Sequence, residues 1–136
     1  MIVIAAVDDS NGMMFNKRRQ SQDRILRQRI LDMTAGKKLW MNHYTKKQFS
    51  DMDAWQINVD ENFLNEATDG EFCFVESVPV SPFEKWIEKI VLFRWNRKYP
   101  GDFSFDIDLT KGWSLVTTED FPGSSHEKIT MEVYVR

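Results

Sequence analysis

Residues 1–14 read MIVIAAVDDSNGMM, and the first seven of them decide the fold class. Ile2–Val7 is a short apolar run, mostly β-branched, closed by Asp8-Asp9-Ser10-Asn11-Gly12. An apolar run of that length bounded by turn-forming residues reads as a buried strand. Residues 8–20 follow with no period and read as a long loop. Ser21 is placed to cap a helix, and Asp23, Leu26, Ile30 and Met33 then share one helical stripe. Ala35-Gly36 closes that helix, and 38–42 (KLWMN) reads as a second strand.

Further along, residues 44–49 suit one or two helical turns and 54–59 a weak strand. Asp60 is positioned to cap a short helix over 61–67, and 71–76 (EFCFVE) is a strong strand. Ser81-Pro82-Phe83-Glu84 has the form of a capping box with proline at the first helical position, which predicts a helix to about residue 89. Strands follow at 90–95, 113–118 and 128–135, the last two in succession. Strands alternating with helices, then two strands together, predict an α/β sheet: parallel by crossover at first, antiparallel at its end. Ile2, Ile4, Leu39, Phe72, Phe74 and Leu92 are the expected core. Ligands in such sheets sit at the carboxyl ends of the strands.

Composition bounds the function classes. The chain has 136 residues, 42% of them apolar and 13% aromatic, enough to bury a core as one domain over 1–136. No apolar run approaches the ~20 residues that span a bilayer. The amino terminus lacks a basic leader, and the single cysteine, Cys73, has no partner for a disulfide, so a cytoplasmic protein is expected. The net charge of −3 conceals an asymmetry: residues 1–50 carry ten Lys/Arg against four Asp. The basic excess concentrates in NKRRQSQDRILRQR, residues 16–29, where a positive field attracts phosphate or nucleic acid, unless the stretch is only a solvated helix face.

The order of these pieces resembles the dihydrofolate reductase family. MIVIAAVDDSNGMM is similar to that family's first strand and the glycine of its mobile loop. TAGKKLWMNHYTKKQF (34–49) resembles its second strand and following helix. IEKIVLFRWNRKYPGD (87–102) resembles the strand that enters a glycine-aspartate turn, Trp113 falls where the family often has a tryptophan, and SSHEKITMEVYVR (124–136) resembles the last strand. The resemblance implies a mostly parallel mixed sheet with an antiparallel C-terminal hairpin, flanked by helices. It also implies an acid at the start of the first long helix that supports protonation of a pterin. Asp23 is the candidate, although aligning backward from TAGKKLWM puts Leu26 there.

The family's nicotinamide cofactor rests on a glycine pair after the central strand, whose bare N–H groups hold the pyrophosphate. The corresponding residues here are Phe74-Val75-Glu76-Ser77-Val78-Pro79, without a glycine and with a carboxylate facing the phosphates. The stretch between Phe49 and Glu71 is too short for the family's strands and its 2′-phosphate loop. Asn42 replaces a glycine and His43 an arginine, a weaker phosphate partner. Phe93 stands in place of a strand hydroxyl. These departures imply that no cofactor is bound, with NADPH the cofactor if the chain is a reductase after all.

The loop Asn16, Arg18, Arg19, Gln20 and Ser21 is rich in hydrogen-bonding groups, and together with Asn42 and His43 it forms the expected anion-binding site. The expected ligand is a nucleotide, a phosphorylated metabolite or an RNA backbone. Ser124-Ser125-His126-Glu127 is either a nucleophile cluster or a turn bonding its own backbone. No metal-ligand spacing and no P-loop occur. Three functions stay in competition: an anion-binding non-reductase, an NADPH-dependent pterin reductase, and an interaction module that presents Trp95 or Trp113 to a partner.

Overall fold

The computed structural model describes residues 1–136. Seven strands form one sheet. In chain order its members are β1 (Ile2–Val7), β4 (Leu39–Met41), β5 (Ile57–Val59), β6 (Phe72–Phe74), β7 (Lys89–Arg94), β9 (Ser114–Phe121) and β10 (Ile129–Val135). Their spatial order is β5-β4-β6-β1-β7-β10-β9. β1 lies inside the sheet, parallel to β6 on one side (Ile4 beside Phe74) and to β7 on the other (Ile4 beside Val91). β4 is parallel to β5 and β6, whereas β10 runs antiparallel to both β7 and β9. This is the mixed sheet with an antiparallel C-terminal hairpin that the sequence predicts.

Alternation along β1 builds two cores. Ile2 and Ile4 point to the face covered by α1 (Arg24–Met33), where they meet Phe72, Phe74, Val91 and Phe93 beside Leu26, Ile30 and Leu31 of the helix. Val3, Ala5 and Val7 point to the other face, with Cys73, Ile90 and Leu92. Ile2, Ile4, Leu39, Phe72, Phe74 and Leu92 are all buried. Each fully buried aliphatic or Phe side chain contributes roughly 1.5–3 kcal/mol relative to exposure, so the α1 stripe is a large part of what holds the helix on the sheet.

Four expectations need correction. Residues 8–20 are not an open loop. Gly12–Phe15 (β2) and Arg18–Arg19 (β3) form a hairpin, joined on β2's other side by Phe103–Ser104 (β8). Phe15 pairs with Arg18, so Asn16 and Lys17 make a two-residue turn, and both have positive φ (51° and 61°). Such tight hairpin turns normally use Asn-Gly; a lysine in the second place hid the signal.

The cap of α1 is Asp23 rather than Ser21, and the helix ends at Met33 with Thr34 as its C-cap. Residues 81–86 form a 3-10 helix without a side-chain cap, because Ser81 spends its hydroxyl on Asp106. Trp95 and Trp113 are buried and present nothing to a partner; Trp55 and Trp86 are the exposed tryptophans. Only β5 and a single helical turn, α3 (Phe63–Glu66), lie between Phe49 and Glu71. No helix is long and apolar enough to cross a membrane.

Candidate functional site

The carboxyl ends of β1, β4 and β6 open toward the β2–β3 hairpin. β4 runs into Asn42, which caps the short helix α2 (His43–Lys46) by accepting from the Thr45 N–H. β6 runs into Val75 and Glu76. Across this crevice lies Arg19. Its Nε donates to Glu76 Oε2 at 3.0 Å and its Nη2 to Oε1 at 3.2 Å, a two-pronged pair. The guanidinium also lies over the Tyr44 ring, 4.4 Å from its centre, and donates to the Tyr44 carbonyl. The Tyr44 hydroxyl in turn accepts the Arg19 N–H at 2.8 Å. Glu76 is buried and Arg19 nearly so, which makes this pair a fixed part of the fold.

That pair decides whether a dinucleotide fits. The resemblance puts the pyrophosphate seat in the stretch Phe74-Val75-Glu76-Ser77-Val78-Pro79. There the structure holds a buried carboxylate already satisfied by the chain's own arginine. Seating a diphosphate there brings like charges together and separates a desolvated ion pair. The residues present do not fit the nicotinamide cofactor.

The predicted anion-binding residues divide into two groups. Asn16, Arg18, Arg19 and Gln20 line one open cavity of about 570 Å³ with Phe15, Tyr99 and Pro100. Arg18 is exposed there and makes no ion pair. Gln20 is wedged between two glycines: its Nε2 donates to Asp8 Oδ2 and to the Pro100 carbonyl, while its Oε1 is buried without a partner. A Cβ at Gly12 or Gly101 would stand 2.6 or 2.7 Å from that Nε2. Asn42 and His43 are not in this wall. Asn42 is buried and donates to Ser77 Oγ, and His43 is exposed and paired with Glu61 at 2.8 Å.

Ser21 belongs to a second constellation, at the start of α1. Asp23 is buried, and its carboxylate gathers the backbone N–H groups of Ile25, Leu26, Ser124 and Ser125, the Ser125 hydroxyl and His126 Nδ1, all within 3.2 Å. Burial pushes its pKa up, but hydrogen bonds from Ser125, His126, Ser124 and Leu26 outweigh that and hold it well below the usual carboxylate range. An acid so committed carries no proton at neutral pH, and it clamps the β9–β10 loop to the helix instead of facing a cleft. Both oxygens of Asp23 are thus engaged by the chain itself, and Leu26 is a buried core residue.

His126 occupies the centre of this clamp. Its ring stacks on Trp95 with centres 4.4 Å apart. With Asp23 ionised, Nδ1 holds the proton and donates to Oδ2 at 3.0 Å, which leaves Nε2 to accept from Ser21 Oγ at 3.0 Å and Tyr99 Oη at 3.1 Å. Sequence reasoning saw the 124–127 cluster but looked for its partners within it. Ser21 and Asp23 lie about a hundred residues away in the chain and Tyr99 lies 27 away, and nothing in the local spacing points to them. No group of three or more His, Cys, Asp or Glu is arranged to hold a metal ion.

No protein-family profile matches the chain, and no curated protein matches it by sequence. Solved structures do match. A dihydrofolate reductase from Enterococcus faecalis, in complex with NADP(H) and RAB-propyl, aligns with 100% of this chain and 96% of its own length, at a TM-score of 0.68 and 13% sequence identity. An alignment that complete at so low an identity speaks for architecture, and with the strand order above it shows that this chain has the dihydrofolate reductase fold.

Proposed function

We propose that this chain is a divergent, cytoplasmic protein of the dihydrofolate reductase fold that does not work as a reductase and instead binds an anionic ligand beside residues 16–22. The carrying observation is the buried Arg19–Glu76 pair, which stands where the resemblance puts the cofactor's pyrophosphate. Two further observations support it. Asp23 is held ionised by the loop it clamps. Arg18 faces a polar cavity with Asn16 and Gln20 and has no internal counter-charge.

In this reading Arg18 supplies the charge, the Asn16 amide supplies a directional hydrogen bond, and Arg19 and Gln20, both held by the chain's own partners, form the rigid wall. A charge-assisted hydrogen bond contributes about 1.5–3 kcal/mol, so two of them give binding of a small phosphate between roughly millimolar and tens of micromolar.

Calorimetry against inorganic phosphate, 5′-nucleotides, short RNA and NADPH tests the reading. Phosphate or a nucleotide should bind wild type and lose at least tenfold in affinity in Arg18→Ala, with the melting temperature unchanged. An RNA contact made through several phosphates weakens steeply with salt, and a single phosphate in a cavity far less. Tight NADPH binding with turnover of dihydrofolate would overturn the proposal and favour the reductase, the function class of the matched enzyme from E. faecalis.

A further inference from the structure

The clasp between α1 and the β9–β10 loop contains more chemistry than a clasp needs. A carboxylate, an imidazole and a hydroxyl stand in series: Asp23 Oδ2 to His126 Nδ1 at 3.0 Å, and His126 Nε2 to Ser21 Oγ at 3.0 Å. Accessibility rises along the series. The Asp23 side chain is fully buried, the His126 side chain 4% exposed and Ser21 half-buried. That is the order a hydrolytic relay requires, with the orienting acid dry, the base fixed and the nucleophile reachable.

We infer that Ser21 is a nucleophile, His126 its general base and Asp23 the residue that positions the base, and that the site hydrolyses carboxylic esters bearing an anionic group. The anionic preference rests on the Arg18 cavity proposed above; the nucleophile does not.

Geometry supports each role. The Ser21 hydroxyl has no hydrogen-bond partner in the chain other than His126. Nδ1 is held by an ionised carboxylate, so the acceptor lone pair of His126 is on Nε2, the atom facing Ser21. Stacking on Trp95 fixes the ring plane. The backbone N–H groups of Ser21 and Gln22 bond nothing within the chain. The amides of the nucleophile and of the residue after it are donors that acyl-transfer sites use for the developing oxyanion. Tyr99 joins the relay to the cavity: its hydroxyl is 3.1 Å from His126 Nε2, and the residue lines the cavity with Arg18 and Asn16.

In the first step Ser21 Oγ bonds to the ester carbonyl carbon and its proton passes to His126 Nε2. The carbon–alkoxide bond then breaks, and the alkoxide leaves with that proton. In the second step water bonds to the acyl carbon, gives its proton to Nε2, and the acyl–Oγ bond breaks as Oγ takes the proton back. The sum is ester plus water to acid plus alcohol.

The test uses the full chain and two kinds of probe. An alkyl fluorophosphonate should add a single phosphonyl group, with loss of fluoride, and peptide mapping should place it on Ser21. Hydrolysis of 4-nitrophenyl acetate and of the 4-nitrophenyl hemiester of succinate should fall at least about a hundredfold in Ser21→Ala. That variant loses one hydrogen bond and should melt as wild type does. In Arg18→Ala the kcat/KM ratio of the succinate hemiester to the acetate ester should drop about tenfold. No adduct, an adduct on Ser124, Ser125 or Tyr99, or equal hydrolysis by Ser21→Ala would overturn the nucleophile. An adduct on Ser21 with the ester ratio unmoved by Arg18→Ala would overturn the anionic preference. Phosphate binding by calorimetry remains a separate readout of the proposed anion site, so failure of one is told from failure of the other.

Discussion

Replacing Asp23 with asparagine isolates what the clamp contributes. Asparagine keeps one carbonyl oxygen and can still accept from the Ile25 and Leu26 N–H groups, so α1 stays capped. Its amide nitrogen then takes the place of Oδ2, which now accepts the Ser125 N–H at 2.8 Å and His126 Nδ1 at 3.0 Å. His126 can escape by moving its proton to Nε2; the Ser125 N–H cannot. One stranded donor costs about 1–3 kcal/mol, and the surviving bonds lose the charge assistance that made them worth 1.5–3 rather than about 1 kcal/mol each. The expected loss is about 3 kcal/mol, a large part of the 5–15 kcal/mol typical of such a domain.

Urea unfolding followed by tryptophan fluorescence measures it, since Trp95 is buried against His126. The midpoint should fall with the slope unchanged. The pH dependence has a definite sign. The folded carboxyl titrates below its unfolded value of about 3.9, so its contribution is complete above roughly pH 5 and is lost as the pH falls through that value toward the folded one. The gap between wild type and Asp23→Asn should therefore begin to narrow below about pH 5 and go on narrowing steadily as the pH falls through the unfolded value toward the folded one. A gap under about 1 kcal/mol that stays constant to pH 3 would mean that Asp23 is only a helix cap, and would refute the clamp.

Arg19→Ala leaves the Glu76 carboxylate buried without its partner; it should cost about 2–4 kcal/mol by thermal or chemical unfolding, with or without phosphate present. Gly123→Ala brings a methyl to 2.5 Å from Asp23 Oδ2 and 2.9 Å from Ile129 Cδ1; it should destabilise by about 1–3 kcal/mol, and a combined Gly123→Ala/Asp23→Asn variant should lose less than the sum. Burial pushes the Cys73 thiol up to about 12, so iodoacetamide should leave it unmodified at pH 8 in the native protein and alkylate it once urea unfolds the chain.

The fold was legible because its signals are local. The apolar run 2–7, the FCF strand and the 26–30 stripe each announce their structure within a few residues, and burial forces them together. The hairpin at 12–19 was illegible for an equally local reason: Lys17 occupies a left-handed position that normally belongs to glycine. The site was half legible. Composition concentrated the hydrogen-bonding groups at 16–22, and four of those residues do line one cavity. Asn42 and His43 were drawn in by the strand end that carries them, but a side chain at a strand end can turn inward, as Asn42 does to Ser77, or outward, as His43 does to Glu61.

Glu76 was legible as an obstacle to phosphate, and its consequence follows only from the partner that the hairpin delivers. A lone buried carboxylate would carry a desolvation cost of several kcal/mol, and so would a guanidinium lodged in the same crevice. Each makes the other tolerable, and Tyr44 adds a ring face and a carbonyl that accepts from Nη2 to hold the guanidinium plane, while its hydroxyl accepts the Arg19 backbone N–H. The ion pair thereby occupies part of the crevice at the strand ends, where sheets of this kind receive their ligands, and an open cavity lined by Met14, Lys17, Tyr44, Ser77, Asp102 and Phe103 lies beside it. A second opening, the Arg18 cavity, has Arg19 itself in its wall and connects through Tyr99 to the Ser21–His126 contact. If the proposed site is right, chemistry at the hairpin leaves the fold intact while the reductase signals fail, which is how the signals for fold and for reductase chemistry would part company in this chain.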